Sequence, residues 1–197
     1  MPTDHGQTLL SIARAAISTA LGRKLQANED APWLQEPGAC FVTLTQQGQL
    51  RGCIGSLQAS RTLLADVKAN AVAAAREDPR FSPLIASELD HTEIEVSLLS
   101  SMQALCFDSE AHALAQLQAG VDGVVFEFNH YRSTFLPQVW EQLPTPQEFM
   151  AHLKRKAGLS PGFWSEGVRL QRYSVRKWKE SDSAAPGIDS AEQRKEP

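Results

Sequence analysis

The stretch Leu50-Arg51-Gly52-Cys53-Ile54-Gly55 constrains this chain more than any other. It lies in a strand-like run yet carries two glycines, and glycine inside a strand loses the most backbone entropy on ordering and packs no side chain. Such glycines mark a bulge, or a place where another backbone or a ligand comes close. Residues 39–46 before it alternate as a strand. Gln47-Gly48-Gln49 supplies a hairpin connection, and residues 50–57 are expected as the return strand. Alternation would put Arg51 on the same strand face as Cys53. A neighbouring guanidinium favours the thiolate, the form that attacks electrophiles or binds metals. The same residues also read as a buried structural cysteine in a glycine-bulged strand, since free cysteine is among the most buried residue types.

The remaining elements follow from periodicity and caps. Asp4 with Gln7 resembles a capping box, and Leu9, Ile12, Ala13, Ala16, Ile17 and Ala20 stripe a first helix ending near Gly22. Residues 62–77, striped by Leu64, Val67, Ala71 and Ala75, predict a second helix stopped by Asp78-Pro79. Residues 93–99 alternate as a strand, with Ile94, Val96 and Leu98 on one face and Glu93, Glu95 and Ser97 on the other. Asp108 is the expected cap of a helix through Ala119, closed by Gly120, and Val124, Phe126 and Phe128 give the apolar face of a further strand. Thr145-Pro146-Gln147-Glu148 opens a helix through Ala157 with an N-cap, proline at the first helical position and glutamate at the third. Its last turn carries Lys154, Arg155 and Lys156, which the helix dipole alone explains. Residues 168–178 read as a last strand. The pattern is α+β, with mostly antiparallel sheet and packed helices.

Charge and cysteine usage narrow the classes of function. The net charge is −4, and residues 180–197 hold five acids and two bases, leaving about −1 on the other 179 residues. One domain over residues 1–179 and a disordered acidic tail over 180–197 are expected. A near-neutral body carries no basic footprint for nucleic acid. No apolar run approaches the length that spans a bilayer, and no signal peptide is indicated. Cys40, Cys53 and Cys106 form neither a disulfide framework nor a zinc-type spacing, so a reduced cytoplasmic protein with no metal and no cofactor is expected.

Residues 50–55 are also the signature of the AMMECR-one domain family, known in bacteria as protein A of the AmmeMemoRadiSam system, which this chain resembles from about residue 38 to residue 173. The matching stretches are Phe41-Val42-Thr43-Leu44, Asp66-Val67 with Asn70-Ala71, Asp78-Pro79-Arg80-Phe81, Ile94-Glu95-Val96-Ser97, Phe135-Leu136-Pro137-Gln138-Val139-Trp140 and Lys156-Ala157-Gly158-Leu159. The resemblance implies a larger lobe built from both chain ends, a smaller inserted lobe, and a cleft between them lined by the motif. It also implies association with MEMO-like and radical-SAM proteins. It names no reaction.

The candidate residues follow. Cys53 is the candidate nucleophile, and Glu95, on the polar face of its strand, the candidate acid or base; a solvated strand carboxylate is the plainer reading of Glu95. Arg51, Gly52 and Gly55 of the motif, with Asn70, Asp78, Arg80, Arg132 and Gln138 at element ends, form the candidate binding set, where binding groups concentrate. Asp78 also reads as a helix stop, and Gln138 as part of a short helical turn after Pro137. Two functions are open: an enzyme or enzyme component using Cys53 on a small molecule or a modified protein residue, and a non-catalytic adaptor for the partner proteins.

Overall fold

The computed structural model describes residues 5–183. Helix α1, His5–Ala20, buries Leu9, Ile12, Ala13 and Ile17, and the chain turns away through Gly22 at φ +79°. Its expected Asp4 cap lies outside the described residues. Strands β1, Cys40–Gln46, and β2, Gln49–Gly55, form the expected hairpin. Gln47 and Gly48 both adopt positive φ, the two-residue turn whose twist matches that of the strands it joins. Helix α2, Leu63–Arg76, starts at Thr62, whose hydroxyl accepts from the Ala65 amide, and gives way to Glu77 before Asp78-Pro79.

Strand β3, Glu93–Leu99, completes the larger lobe together with the last strand of the chain. Between them the chain builds β4, Gln103–Ala104, then α3, Glu110–Ala115, β5, Gly123–Phe128, and β6, Tyr131–Phe135. Next come α4, Pro146–Lys156, and β7, Arg169–Tyr173, before β8, Val175–Lys179. Two four-stranded antiparallel sheets result, in the orders β8-β3-β1-β2 and β4-β7-β5-β6, beside a short antiparallel ladder of Pro37–Gly38 with Arg61–Thr62. On the first, Val42, Leu44, Ile94 and Val96 pack with Leu9, Ile12, Val67 and Ala71 of α1 and α2. On the second, Val124, Phe126 and Leu170 pack with Phe149, Met150 and Leu153 of α4. A smaller cluster of Ala39, Leu99, Val125 and Tyr173 joins the lobes.

The expected α+β fold with a larger lobe from both chain ends and an inserted lobe is therefore observed. The lobe boundary falls where the two crossings touch: the Ser100 amide donates to the Ser174 carbonyl and the Ser174 amide to the Ser100 hydroxyl. The single strand expected over residues 168–178 is two strands, because Ser174 carries the chain from one sheet to the other. Helix α3 is shorter than expected and is capped by Ser109, which accepts from the His112 amide, while Asp108 takes the Ser109 hydroxyl.

Two further readings are corrected. Lys154 lies in the last turn of α4 as expected, but the helix dipole alone does not account for it. It is 1% exposed, paired with Glu110 and stacked over Trp164, because its position on α4 faces α3. The boundary set at residue 180 falls too early, because Glu180 pairs with Arg14 of α1 and accepts the Ile94 amide at 2.9 Å. The rest of the expected tail, residues 184–197, lies outside the described residues. Among the described residues no helix is long and apolar enough to cross a membrane.

Candidate functional site

Alternation sends Val42 and Leu44 of β1 towards the helices, so Phe41 and Thr43 face the other way, towards the smaller lobe. On that face the register lines up one row of side chains across four strands: Cys53 opposite Thr43, Thr43 opposite Glu95, and Glu95 opposite Lys179. Neighbouring strands stand about 4.8 Å apart, so the Cα atoms of Cys53 and Glu95 are separated by roughly 10 Å. The next row is Gly55, Phe41, Ser97 and Lys177. Two cations from the last strand flank the Glu95 carboxylate: Lys177 and Lys179 approach it to 3.9 and 3.6 Å.

The smaller lobe covers this face with Leu136, Pro137 and Gln138, which lead into the helical turn Pro137–Glu141. Between the lobes lies a cavity of about 40 Å³, lined by Thr43, Cys53, Glu95, Ser97, Gln138 and Lys177 with apolar walls from Phe41 and Leu136. That volume holds a few water molecules. The Thr43 hydroxyl donates to Cys53 Sγ at 3.3 Å, Ser97 donates to Glu95 at 3.3 Å, and Lys177 donates to Gln138 Oε1 at 3.2 Å. Three of the sequence candidates, Cys53, Glu95 and Gln138, thus meet in one cavity, although Glu95 makes no direct hydrogen bond to the thiol.

The main chain of Cys53 is held separately. β2 is an edge strand, so on its outer side no strand takes the backbone groups of Cys53. The Asp78 carboxylate accepts the Cys53 amide at 2.9 Å, and the Arg80 guanidinium donates to the Cys53 carbonyl at 3.4 Å. Asp78 and Arg80 are themselves paired through Nε and Nη2 at 2.9 and 2.6 Å. The Arg80 guanidinium, helped by the Cys53 and Arg80 amides, holds the buried Asp78 carboxyl far below the usual range despite the cost of desolvation.

Arg51 does not share the site of Cys53, contrary to the alternation argument. The pairing shifts by one residue, from Thr45 opposite Leu50 to Leu44 opposite Gly52, so Arg51 is the extra residue of a bulge. Its guanidinium runs to Glu88 at 3.1 Å, where it lowers the carboxyl's protonation range, and that carboxylate also takes the Gln46 amide. The two motif glycines are filled by the protein itself and not by a ligand. A Cβ at Gly52 would lie 2.1 Å from the Ala74 carbonyl oxygen of α2, and one at Gly55 would lie 2.2 Å from the Phe41 ring.

The remaining candidates lie elsewhere. Asn70 belongs to a buried cluster around Asp66, which accepts the Cys40 amide, the Ser56 hydroxyl and the Arg61 guanidinium; Asn70 adds a bond to the Cys40 carbonyl. This cluster ties α2 to the outer ends of β1 and β2, and burial there, reinforced by Asp66, pushes the Cys40 thiol strongly up. Arg132 pairs with Glu127 across the second sheet and does not line the cavity. Sequence reasoning missed Thr43, Ser97 and Lys177. The first two lie at alternate positions of matched stretches, and Lys177 has no comparable signal.

The sequence profile of the family described as AMMECR1 matches residues 10–178. Protein MJ0810 of Methanocaldococcus jannaschii is 33% identical over 195 residues, covering 94% of this chain and 95% of that protein. A protein of Methanothermobacter thermautotrophicus is 36% identical over 187 residues, covering 90% and 95% respectively. The crystal structure of the uncharacterized protein PH0010 from Pyrococcus horikoshii superposes with a TM-score of 0.76 at 30% identity, over 92% of this chain and 94% of that one.

Proposed function

We propose, from the premise that this chain belongs to the AMMECR1 family, that it is an enzyme or enzyme component whose Cys53 thiol acts within the interlobe cavity. Its substrate in this reading is a small molecule, or a modified residue presented by a partner such as a MEMO-like or radical-SAM protein. The observation that carries the reading is the convergence of the polar side chains of Cys53, Thr43, Glu95 and Gln138 on one largely apolar cavity between two lobes. Cys40, by contrast, is fully buried on the helix-facing side of the sheet with its thiol beside Asn70 and Asp66, whereas Cys53 is only partly buried and lines the cavity. In this reading Cys53 is the nucleophile, the Thr43 hydroxyl steadies the sulfur, and Glu95 handles a proton on the bound substrate from the far side of the cavity. Lys177 and Gln138 bind from the two lobes.

The test is mass-spectrometric labelling of each thiol by iodoacetamide in folded and in denatured protein. Cys53 is expected to label in the folded state, with Cys40 labelling only after unfolding. Labelling of Cys53 only after denaturation would sink the nucleophile reading and leave the adaptor reading in its place.

A further inference from the structure

We propose that Asp78 and Arg80 are positioning residues that together substitute for a missing strand beside Cys53 and set how readily its thiol reacts. This rests on the reading of Cys53 as a reactive thiol. The argument starts from topology. A residue on an edge strand offers its amide and carbonyl to water on the outer side and frays more easily than one in mid-sheet. Here both outward groups of one residue, Cys53, are taken by one ion pair: the amide by the Asp78 carboxylate and the carbonyl by the Arg80 guanidinium. The two side chains therefore pair with Cys53 as the amide and carbonyl of a neighbouring strand would.

The geometry is asymmetric in a way that suits tuning. The Asp78 side chain is 2% exposed and anchored by the amides of Cys53 and Arg80, whereas the Arg80 side chain is 54% exposed and stacks on Phe81. The charges that bind the Cys53 main chain are thus a balanced pair. Asp78 first, and after it a charge on Cys53, raise the protonation range of the Arg80 guanidinium. The other charged groups facing the cavity, Glu95 and Lys177, stand on β3 and β8, beyond the intervening β1. Removing one member of the pair leaves the other uncompensated next to the thiol. A bare Asp78 carboxylate disfavours the thiolate; a bare Arg80 guanidinium favours it.

The two single substitutions should therefore move reactivity in opposite directions, which a merely structural role does not do. The experiment measures iodoacetamide labelling of Cys53 at pH 7 in the folded full chain, with the exposed Cys106 as internal control. Asp78→Asn keeps an oxygen for the Cys53 amide and is expected to speed labelling by about threefold or more. Arg80→Ala is expected to slow it by a similar factor, and Arg80→Lys to return it to within about twofold of the native rate. If Asp78→Asn does not fold, the Arg80→Ala and Arg80→Lys comparison decides alone. Shifts of the same sign in both single variants, no shift in either, or a lysine variant indistinguishable from the alanine one would overturn the proposal while native Cys53 labelling still upheld the thiol reading. No labelling of Cys53 in the folded native chain would overturn both.

Discussion

Arg51 and Cys53 stand two residues apart on one strand, yet the arginine ends on Glu88 and the thiol in the interlobe cavity. A single bulge residue separates their destinations, because one extra residue in a strand reverses the side-chain alternation that would otherwise align them. The cation that hydrogen-bonds Cys53 is instead Arg80, which comes from the loop after α2 and donates to the Cys53 carbonyl.

Arg51→Ala should accordingly leave Cys53 labelling at pH 7 within about twofold of native while costing about 1 kcal/mol of stability through the lost partner of Glu88. Parallel thiol labelling and urea unfolding of this variant check both halves. A slowing comparable to that of Arg80→Ala would return Arg51 to the site.

Gly52→Ala tests why the motif carries glycine. The Ala74 carbonyl oxygen stands where the methyl group would go, and a backbone oxygen in the last turn of α2 cannot move aside as a flexible side chain can. The expected loss is at the upper end of the range of about 1–3 kcal/mol for overpacked sites, read as a lowered urea midpoint. A midpoint equal to that of the native chain would mean that α2 slides freely on β2.

Glu180 lies beyond the last strand but locks it. Its carboxylate pairs with Arg14, which also reaches the Leu89 and Thr92 carbonyls, and it accepts the Ile94 amide. Glu180→Ala should remove about 2 kcal/mol, since hydrogen bonds to charged groups contribute about 1.5–3 kcal/mol. That corresponds to a melting temperature lower by about 4–8 °C. An unchanged melting temperature would show the clasp to be solvated in solution.

Asp78 gives the stability a sign with pH. Its folded-state protonation range lies below that of an unfolded aspartate, near pH 3.9, chiefly because Arg80 binds the charged form. The stabilisation is complete above that value and is lost as the pH falls through it towards the folded-state value. Urea midpoints measured from pH 7 down to pH 3 should therefore fall more steeply for the native chain than for Asp78→Asn. Parallel slopes would show that the Asp78–Arg80 pair contributes nothing to folding.

Much of the molecule was legible in the sequence because it rests on near neighbours along the chain. Helical stripes, the Thr145 cap, the hairpin connection at Gln47-Gly48-Gln49 and the alternation of residues 93–99 depend on spacings of two to four residues, and each is observed. So is the family, whose signature is a contiguous run, and with it the two-lobed α+β plan. What the tertiary structure decided are meetings over long separations. Asp78 finds Cys53 25 residues away, Lys177 finds Gln138 39 away, and Glu180 finds Arg14 166 away. Those contacts depend on which strand lies at an edge, where Ser174 changes sheets, and on which side of the bulge a side chain emerges. None of these is a local preference. They follow from how the sheets and helices exclude water together, so the same alternating pattern that foretold β2 misplaced Arg51, and the residue that lies over the cavity from the last strand, Lys177, carried no mark of its role.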